Sequence, residues 1–79
     1  MKVVRKKIFS KYFRAVKARK KNFEIRRDED GIQVGDLLIL EEWNEWTGYT
    51  GECVRRYVKY ILRDIPECGL MDGYCIIGW

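Results

Sequence analysis

The chain has 79 residues, of which 47% are hydrophobic and 35% charged, with a net charge of +4. This length and apolar content predict one folded domain and exclude a disordered chain. Without histidine there is no catalytic triad of the usual kind, and the absence of C-x-x-C spacing argues further against a structural zinc site.

The cysteines and the first residues indicate the same compartment. Cys53, Cys68 and Cys75 are odd in number, which fits a reducing environment better than a disulfide scaffold. Cations follow Val3-Val4 at once, so no signal-peptide pattern is present, and no apolar run reaches the about 20 residues of a membrane span. We expect a cytoplasmic domain that uses no metal, no cofactor and no membrane.

Charge is distributed very unevenly along the chain. Residues 1–27 hold twelve Lys or Arg and one acid, Glu24, whereas residues 28–79 hold four Lys or Arg and eleven acids. A segment with a local charge of +11 is typical of a surface that meets phosphates or another polyanion. The alternative is that the basic third packs beside the acidic remainder and is neutralised by it.

The N-terminal part predicts a strand followed by a short amphipathic helix. The β-branched and aromatic residues among the cations of residues 2–9 indicate a strand at a sheet edge or with a solvated face. Ser10 is the predicted helix cap, and apolar residues then recur at helical spacing as far as Ala18, forming a stripe expected to pack on a sheet. The opposite face of this helix carries the cations Lys11, Arg14 and Lys17.

After a basic turn at residues 20–22, the chain alternates apolar and charged residues as a half-buried strand does. Because side chains of a strand alternate between its faces, Phe23 and Ile25 share one face and Glu24 and Arg26 the other. The central basic stretch therefore ends in a strand with a charged face.

The second half of the chain predicts strands without intervening helices. Residues 28–31 and 34–36 are turns by composition, and the apolar run 37–40 indicates a strand buried on both faces. The remaining predicted elements are a loop at 44–51, a long strand at 52–62, a break at 64–69 and a last strand at 73–79. Five strands with one early helix predict a mainly β (α+β) fold, a small antiparallel barrel with the helix between strands 1 and 2.

This order of elements resembles an ASCH domain of the PUA-like β-barrel superfamily over nearly the whole chain. The family signature, close to Gly-x-Lys-Thr-x-Glu-x-Arg with a later Gly-Asp turn, matches residues 19–26 and 35–36, although Arg19 replaces the usual Gly and Asn22 the usual Thr. Further pairs resemble an uncharacterised bacterial and phage family of ASCH-like domains: Lys7-Ile8, Tyr12-Phe13, Ala15-Val16, Glu42-Trp43, Thr47-Gly48, Tyr60-Ile61-Leu62 and Gly73-Tyr74.

The resemblance implies a PUA-like barrel that binds RNA in a cleft between helix and barrel. Carried onto this sequence, the cleft residues are Lys20, Lys21, Glu24 and Arg26. The neighbouring cations Arg14, Lys17 and Arg19 are candidate phosphate contacts. The candidate side chains for stacking bases of RNA or single-stranded nucleic acid are Trp43, Trp46 and Tyr49. Trp43 is equally compatible with a core position, and Trp46 with a role as a loop anchor.

Glu24 has two interpretations. As a structural partner it orients Arg26 or Lys21 by a charge-assisted hydrogen bond, and this role is favoured because neighbouring cations stabilise the carboxylate form. As a general base paired with Lys21 it belongs to a small enzyme, of amidohydrolase or nuclease type, acting on a modified nucleoside or RNA, although the Thr nucleophile of such ASCH relatives is missing. A third hypothesis is that the domain is a phage or mobile-element module that binds an acidic protein partner.

The acids of residues 28–30 lack the spacing of a known calcium loop, so they indicate a solvated turn rather than a cation site.

Overall fold

The computed structural model describes residues 1–79 and confirms a mainly β (α+β) fold with one α-helix after the first strand. The elements are β1 (Val3–Phe9), α1 (Ser10–Lys17), β2 (Phe23–Arg27), β3 (Leu37–Asn44), β4 (Gly48–Tyr57), β5 (Tyr60–Arg63), a 3-10 helix (Pro66–Cys68) and β6 (Tyr74–Gly78). Neither helix has the length and apolar character needed to cross a membrane.

The strands form two three-stranded sheets. The first has the order β1-β3-β4 and the second the order β2-β6-β5. β1 and β3 are parallel, and the other neighbouring strands are antiparallel. The prediction of an antiparallel barrel is therefore wrong in two respects. β1 and β3 pair in parallel, because α1 and β2 form a connection long enough for it, and no backbone ladder joins the two sheets into a closed barrel.

The long strand predicted for residues 52–62 is in fact two strands in different sheets. At the break, the N–H of Val58 donates to the carbonyl of Asp36 at 2.9 Å, and the N–H of Lys59 donates to the carbonyl of Gly78 at 2.8 Å, both typical of backbone hydrogen bonds. The chain thus leaves the first sheet and enters the second without a Gly or Pro to signal the change. The predicted loop at 44–51 is also shorter than expected, since β3 ends at Asn44 and β4 begins at Gly48.

One apolar core lies between the two sheets and the helix. As predicted, the apolar stripe of α1 packs on a sheet, and it does so through Phe13 and Val16. The other buried members of the core are Val4, Ile8, Ile32, Leu38, Leu40, Val54, Val58, Cys75 and Ile77. Burial raises the pKa of the Cys75 thiol.

The apolar run 37–40 is buried on both faces over most of its length, as predicted. Leu38 and Leu40 belong to the core, whereas Ile39 is buried outside that cluster. The register places Ile39 between Arg5 of β1 and Arg55 of β4. Long cationic side chains at such positions cover apolar surface with their aliphatic stems.

Arg56 holds the C-terminal end of α1. It lies in β4 between the buried residues Val54 and Val58, and its guanidinium donates to the carbonyl of Val16 at 3.1 Å. Burial and, secondarily, the nearby Arg19 lower the pKa of Arg56 from its ordinary value. At the other end, the predicted Ser10 cap is wrong, because the helix begins at Ser10 itself and no side chain caps it.

The turn after α1 uses a left-handed residue. Arg19 has a φ of 61°, which lets the N–H groups of Lys20 and Lys21 donate to the carbonyl of Ala15 at 2.9 and 3.1 Å. Glycine adopts this conformation freely, whereas a residue with a Cβ does so at a steric cost. The position where the ASCH signature has Gly therefore keeps its positive φ in this chain.

The turn at residues 34–36 joins the N-terminus to the second half of the chain. The buried carboxylate of Asp36 accepts hydrogen bonds from the backbone N–H groups of Gln33 and Lys2, both at 2.9 Å. These bonds, with the larger effect from Gln33, lower the pKa of Asp36. The Gly-Asp turn thus binds the N-terminal segment at Lys2 to the loop that precedes β3.

Replacing Arg19 by Gly is expected to stabilise the fold. Arg19→Ala keeps the backbone strain and removes the charge, so it is the matched control. We expect Arg19→Gly to unfold at higher urea than Arg19→Ala, with a difference of about 1 kcal/mol in the free energy of unfolding. Equal stability of the two variants would show that φ at this position carries no strain.

Asp36 is expected to make stability depend on acid pH. Its pKa is lower in the folded than in the unfolded chain, so its stabilisation is complete above the unfolded pKa of about 4 and is lost as pH falls through the folded pKa. In urea titrations between pH 6 and pH 2, Asp36→Asn should therefore lose less stability than the unsubstituted protein. Asp72→Asn, at an exposed position, should follow the unsubstituted curve.

Candidate nucleic-acid interface

Strand β2 directs Glu24 and Arg26 inward and Phe23 and Ile25 outward. Glu24 is only 6% exposed, whereas Phe23 and Ile25 are 46% and 56% exposed. Glu24 pairs in register with Ile77 of β6, a fully buried core residue. The predicted shared face of Glu24 and Arg26 is therefore the protected face of this strand, not its solvated one.

The carboxylate of Glu24 binds two cations. Lys21 Nζ donates to Oε1, and Arg26 Nε donates to Oε2 at 2.9 Å. The side chains of Lys21 and Arg26 are themselves mostly protected, at 17% and 22% exposure. Because a buried carboxylate needs such partners, these residues form one unit, which we call the Lys-Glu-Arg cluster.

Each cation of the cluster also binds a backbone carbonyl. Lys21 Nζ donates to the carbonyl of Phe23, and Arg26 Nη2 donates to the carbonyl of Lys7, both at 2.6 Å. Lys7 belongs to β1, the edge of the first sheet, and Arg26 belongs to β2, an edge of the second. Arg26 thus bridges two edge strands that share no ladder.

A cleft of about 530 Å³ opens over the cluster, and we call it the cluster cleft. Lys21 Nζ lies 5.0 Å from the centroid of the Phe23 ring and 5.7 Å from that of Tyr12, so aromatic walls surround a charged floor. This volume lies within the range of small-ligand sites. Besides the cluster, the lining residues are Lys7, Ile8, Phe9, Tyr12, Phe23 and Ile25.

A second cavity, of about 480 Å³, lies beside the start of α1 and shares Phe9 with the cluster cleft. We call it the tryptophan cavity. Trp46 is 83% exposed at its rim, and Trp43 packs against Phe9 with ring centroids 5.6 Å apart. The other lining residues are Ser10, Lys11, Arg14, Asn44 and Glu45. Trp43 is therefore a wall residue and not a member of the core cluster.

The predicted site residues fall into three places. Lys21, Glu24 and Arg26 come together in the cluster cleft, and Arg14 and Trp46 come together in the tryptophan cavity. The other three, Lys17, Arg19 and Lys20, are exposed and line neither cavity. Tyr49, a predicted stacking candidate, is exposed and also lies outside both cavities.

Sequence reasoning did not identify Lys7, Phe9 and Tyr12 as site residues. They flank the junction of β1 and α1, and the turn that ends α1 carries Lys20 and Lys21. Their closeness to the cluster depends on how β1 and β2 face each other, which no local pattern encodes. The one sequence feature that pointed toward these residues is that β1 ends in the aromatic Phe9 and leads directly into the basic helix α1.

The acidic remainder neutralises part of the basic segment. Arg5 pairs with Glu41 at 3.8 Å, Lys17 with Glu52 at 3.5 Å, and Lys6 with both Glu29 and Asp30. The hydrogen bond from Lys6 to Asp30 is the main reason that the pKa of Lys6 is raised. The cations of residues 1–27 that make no ion pair are Lys2, Lys7, Lys11, Arg14, Arg19, Lys20 and Arg27.

The acids of residues 28–30 act as ion-pair partners. Asp28 accepts hydrogen bonds from Arg63 at 2.7 and 3.2 Å, and these bonds raise the pKa of Arg63. Glu29 and Asp30 both pair with Lys6. No group of three or more His, Cys, Asp or Glu side chains is placed to hold a metal ion. This turn therefore fastens the loop after β2 to both sheets.

Breaking the cluster should destabilise the fold. In Glu24→Gln the side chain keeps its shape, but its amide NH₂ faces a cation and leaves one donor without an acceptor. We expect a loss of about 2 kcal/mol in the free energy of unfolding, measured by urea denaturation. Glu67→Gln, at an exposed acid, is the control and should change little; an equally small effect at Glu24 would contradict a stabilising role for the cluster.

Comparison with known proteins places the chain in a family. A search of curated proteins finds no match. A family model described as "Domain of unknown function (DUF3850)" covers residues 5–79, which include every residue that lines the two cavities. Since this match spans nearly the whole chain, the protein belongs to the DUF3850 family.

Proposed function

We propose that this DUF3850 domain binds RNA through the cations of α1 and the two adjacent cavities. The observation that supports the proposal is the position of the uncompensated charge. Lys11 and Arg14 are exposed on α1, make no ion pair and line the tryptophan cavity. Lys20 is exposed in the turn after the helix and is likewise unpaired. Of the cations that internal pairing leaves over, Lys7, Lys11 and Arg14 thus lie beside aromatic walls.

The chemistry of nucleic acids fits both features. Exposed cations bind phosphates and release condensed counterions, so affinity depends on salt more than on sequence. Aromatic side chains provide surfaces on which unpaired bases stack. The cluster cleft adds Tyr12 and Phe23, and the tryptophan cavity adds Trp43 and Trp46.

We also propose that DUF3850 domains are of the ASCH type within the PUA-like superfamily. The support is the order of elements, with a helix after the first strand, a Glu-x-Arg strand at β2 and a Gly-Asp turn before β3. In this view the two sheets are the halves of a barrel. The Arg26 bond to the Lys7 carbonyl then takes the place of a backbone ladder at the opening between β2 and β1.

A small enzyme acting on a modified nucleoside is the second candidate. The observation that favours it is the direct contact of Lys21 with Glu24 at the floor of a cleft large enough for a nucleoside. Against it, both oxygens of Glu24 already accept hydrogen bonds from cations. An acid–base role would require one of these bonds to break, so binding is the function that the geometry supports better.

The binding proposal predicts salt-dependent affinity that depends on particular cations. Fluorescence anisotropy with labelled single-stranded RNA, single-stranded DNA and duplex RNA should show saturable RNA binding that weakens steeply with salt. Lys11→Ala/Arg14→Ala should weaken it and lower the slope of log K against log salt by about 1.4, since each lost phosphate contact on a single strand removes about 0.7.

The matched control is Arg27→Ala/Lys59→Ala, which removes the same charge from exposed cations outside both cavities. It should leave the salt slope nearly unchanged. Equal losses in the two double variants would indicate attraction by net charge alone and not a site. Absence of binding to all three nucleic acids at low salt would contradict the proposal and favour nucleoside derivatives in the cluster cleft.

A further inference from the structure

Phe9 forms a partition between the two cavities. It is the last residue of β1, it is 54% exposed, and it lines both the cluster cleft and the tryptophan cavity. The Trp43 ring supports it from one side, with centroids 5.6 Å apart and planes inclined by 58°. An apolar ring held in this way separates whatever occupies the two cavities.

Each cavity offers a flat surface suited to one base. In the cluster cleft these surfaces are the rings of Tyr12 and Phe23, and in the tryptophan cavity they are the indoles of Trp43 and Trp46. The backbone of Trp46 is held in place, although its side chain is exposed. Asn44 Oδ1 accepts hydrogen bonds from the N–H groups of Trp46 and Thr47 at 3.0 and 2.9 Å, which fixes the tip of the β3–β4 hairpin.

Cations lie where the backbone of a bound strand would pass from one cavity to the other. Lys7 lines the cluster cleft, and its ammonium lies 4.4 Å from the centroid of the Trp43 ring, at the boundary with the tryptophan cavity. It is exposed and has no carboxylate partner. The phosphate that joins two nucleotides would therefore meet Lys7 between the cavities, and a flanking phosphate would meet Lys11 and Arg14 in the tryptophan cavity.

We infer that the two cavities bind two consecutive nucleotides of a single strand, with one base on each side of Phe9. This inference rests on the proposed function and specifies its ligand. In a duplex, neighbouring bases are paired and stacked on each other, so the Phe9 ring lies between them only if a base step is unstacked and the helix distorted. Single-stranded nucleic acid admits the ring because its bases unstack at a smaller energetic cost. The domain is thus a dinucleotide reader that favours single strands over duplexes.

The test compares ligand length in two variants. Competition against a labelled single-stranded RNA gives the affinity of uridine monophosphate, diuridylate and longer oligouridylates, as well as a duplex RNA. The proteins are the unsubstituted chain, Trp46→Ala and, as the control, Tyr57→Ala, which removes an exposed aromatic outside both cavities. Trp46 is 83% exposed, so its removal should leave the fold intact, which circular dichroism checks.

We expect the affinity of the unsubstituted protein to increase about tenfold or more from one nucleotide to two. This step should disappear in Trp46→Ala and persist in Tyr57→Ala, and the duplex should compete poorly. If single strands bind but the step is unchanged in Trp46→Ala, or if duplex RNA competes equally, the dinucleotide inference is wrong while RNA binding stands. If no RNA binds at low salt, the proposed function itself fails.

Discussion

The structure depends on one buried carboxylate. Glu24 is the only acid among the first 27 residues, and its two oxygens bind Lys21 and Arg26. Through Arg26 the same unit reaches the carbonyl of Lys7 and so connects the edges of the two sheets. Burying a carboxylate is costly unless it is paired, so the two cations must stay close to it. The position of β2, the opening of the cleft and its charged floor all follow from this arrangement.

The inward cluster explains why the cleft has aromatic walls. Since side chains of a strand alternate, turning Glu24 and Arg26 inward turns Phe23 and Ile25 outward. Both apolar residues then line the mouth of the cluster cleft instead of the core. The core is filled instead by α1, by β1, β3, β4 and β6, and by Ile32 and Val58 outside the strands. A charged interior and an apolar rim at one strand are a costly combination for stability alone, which is consistent with a binding role for this surface.

Local patterns were enough to predict most elements but not how they meet. The alternation of residues 23–26, the stripe of α1 and the apolar run 37–40 report on single segments, and all three predicted elements are present in the structure. The alternation of residues 23–26 did not show that the charged face is the buried one. The parallel pairing of β1 with β3 and the break at residues 58–59 depend on distant contacts, so no local signal revealed them. The Lys-Glu-Arg cluster came from the resemblance to ASCH domains. No local pattern indicated that Phe9 lies between two cavities and lines both.

Binding of nucleic acid at the two cavities on either side of Phe9 is tested most directly by a ¹⁵N-resolved NMR titration of the protein with a short single-stranded RNA. Such binding should place the largest shifts on the Trp46 indole N–H, the backbone of Phe9 and the turn that carries Lys21. Shifts confined to distant exposed residues such as Tyr57 and Met71, or no shifts at saturating RNA, would contradict it.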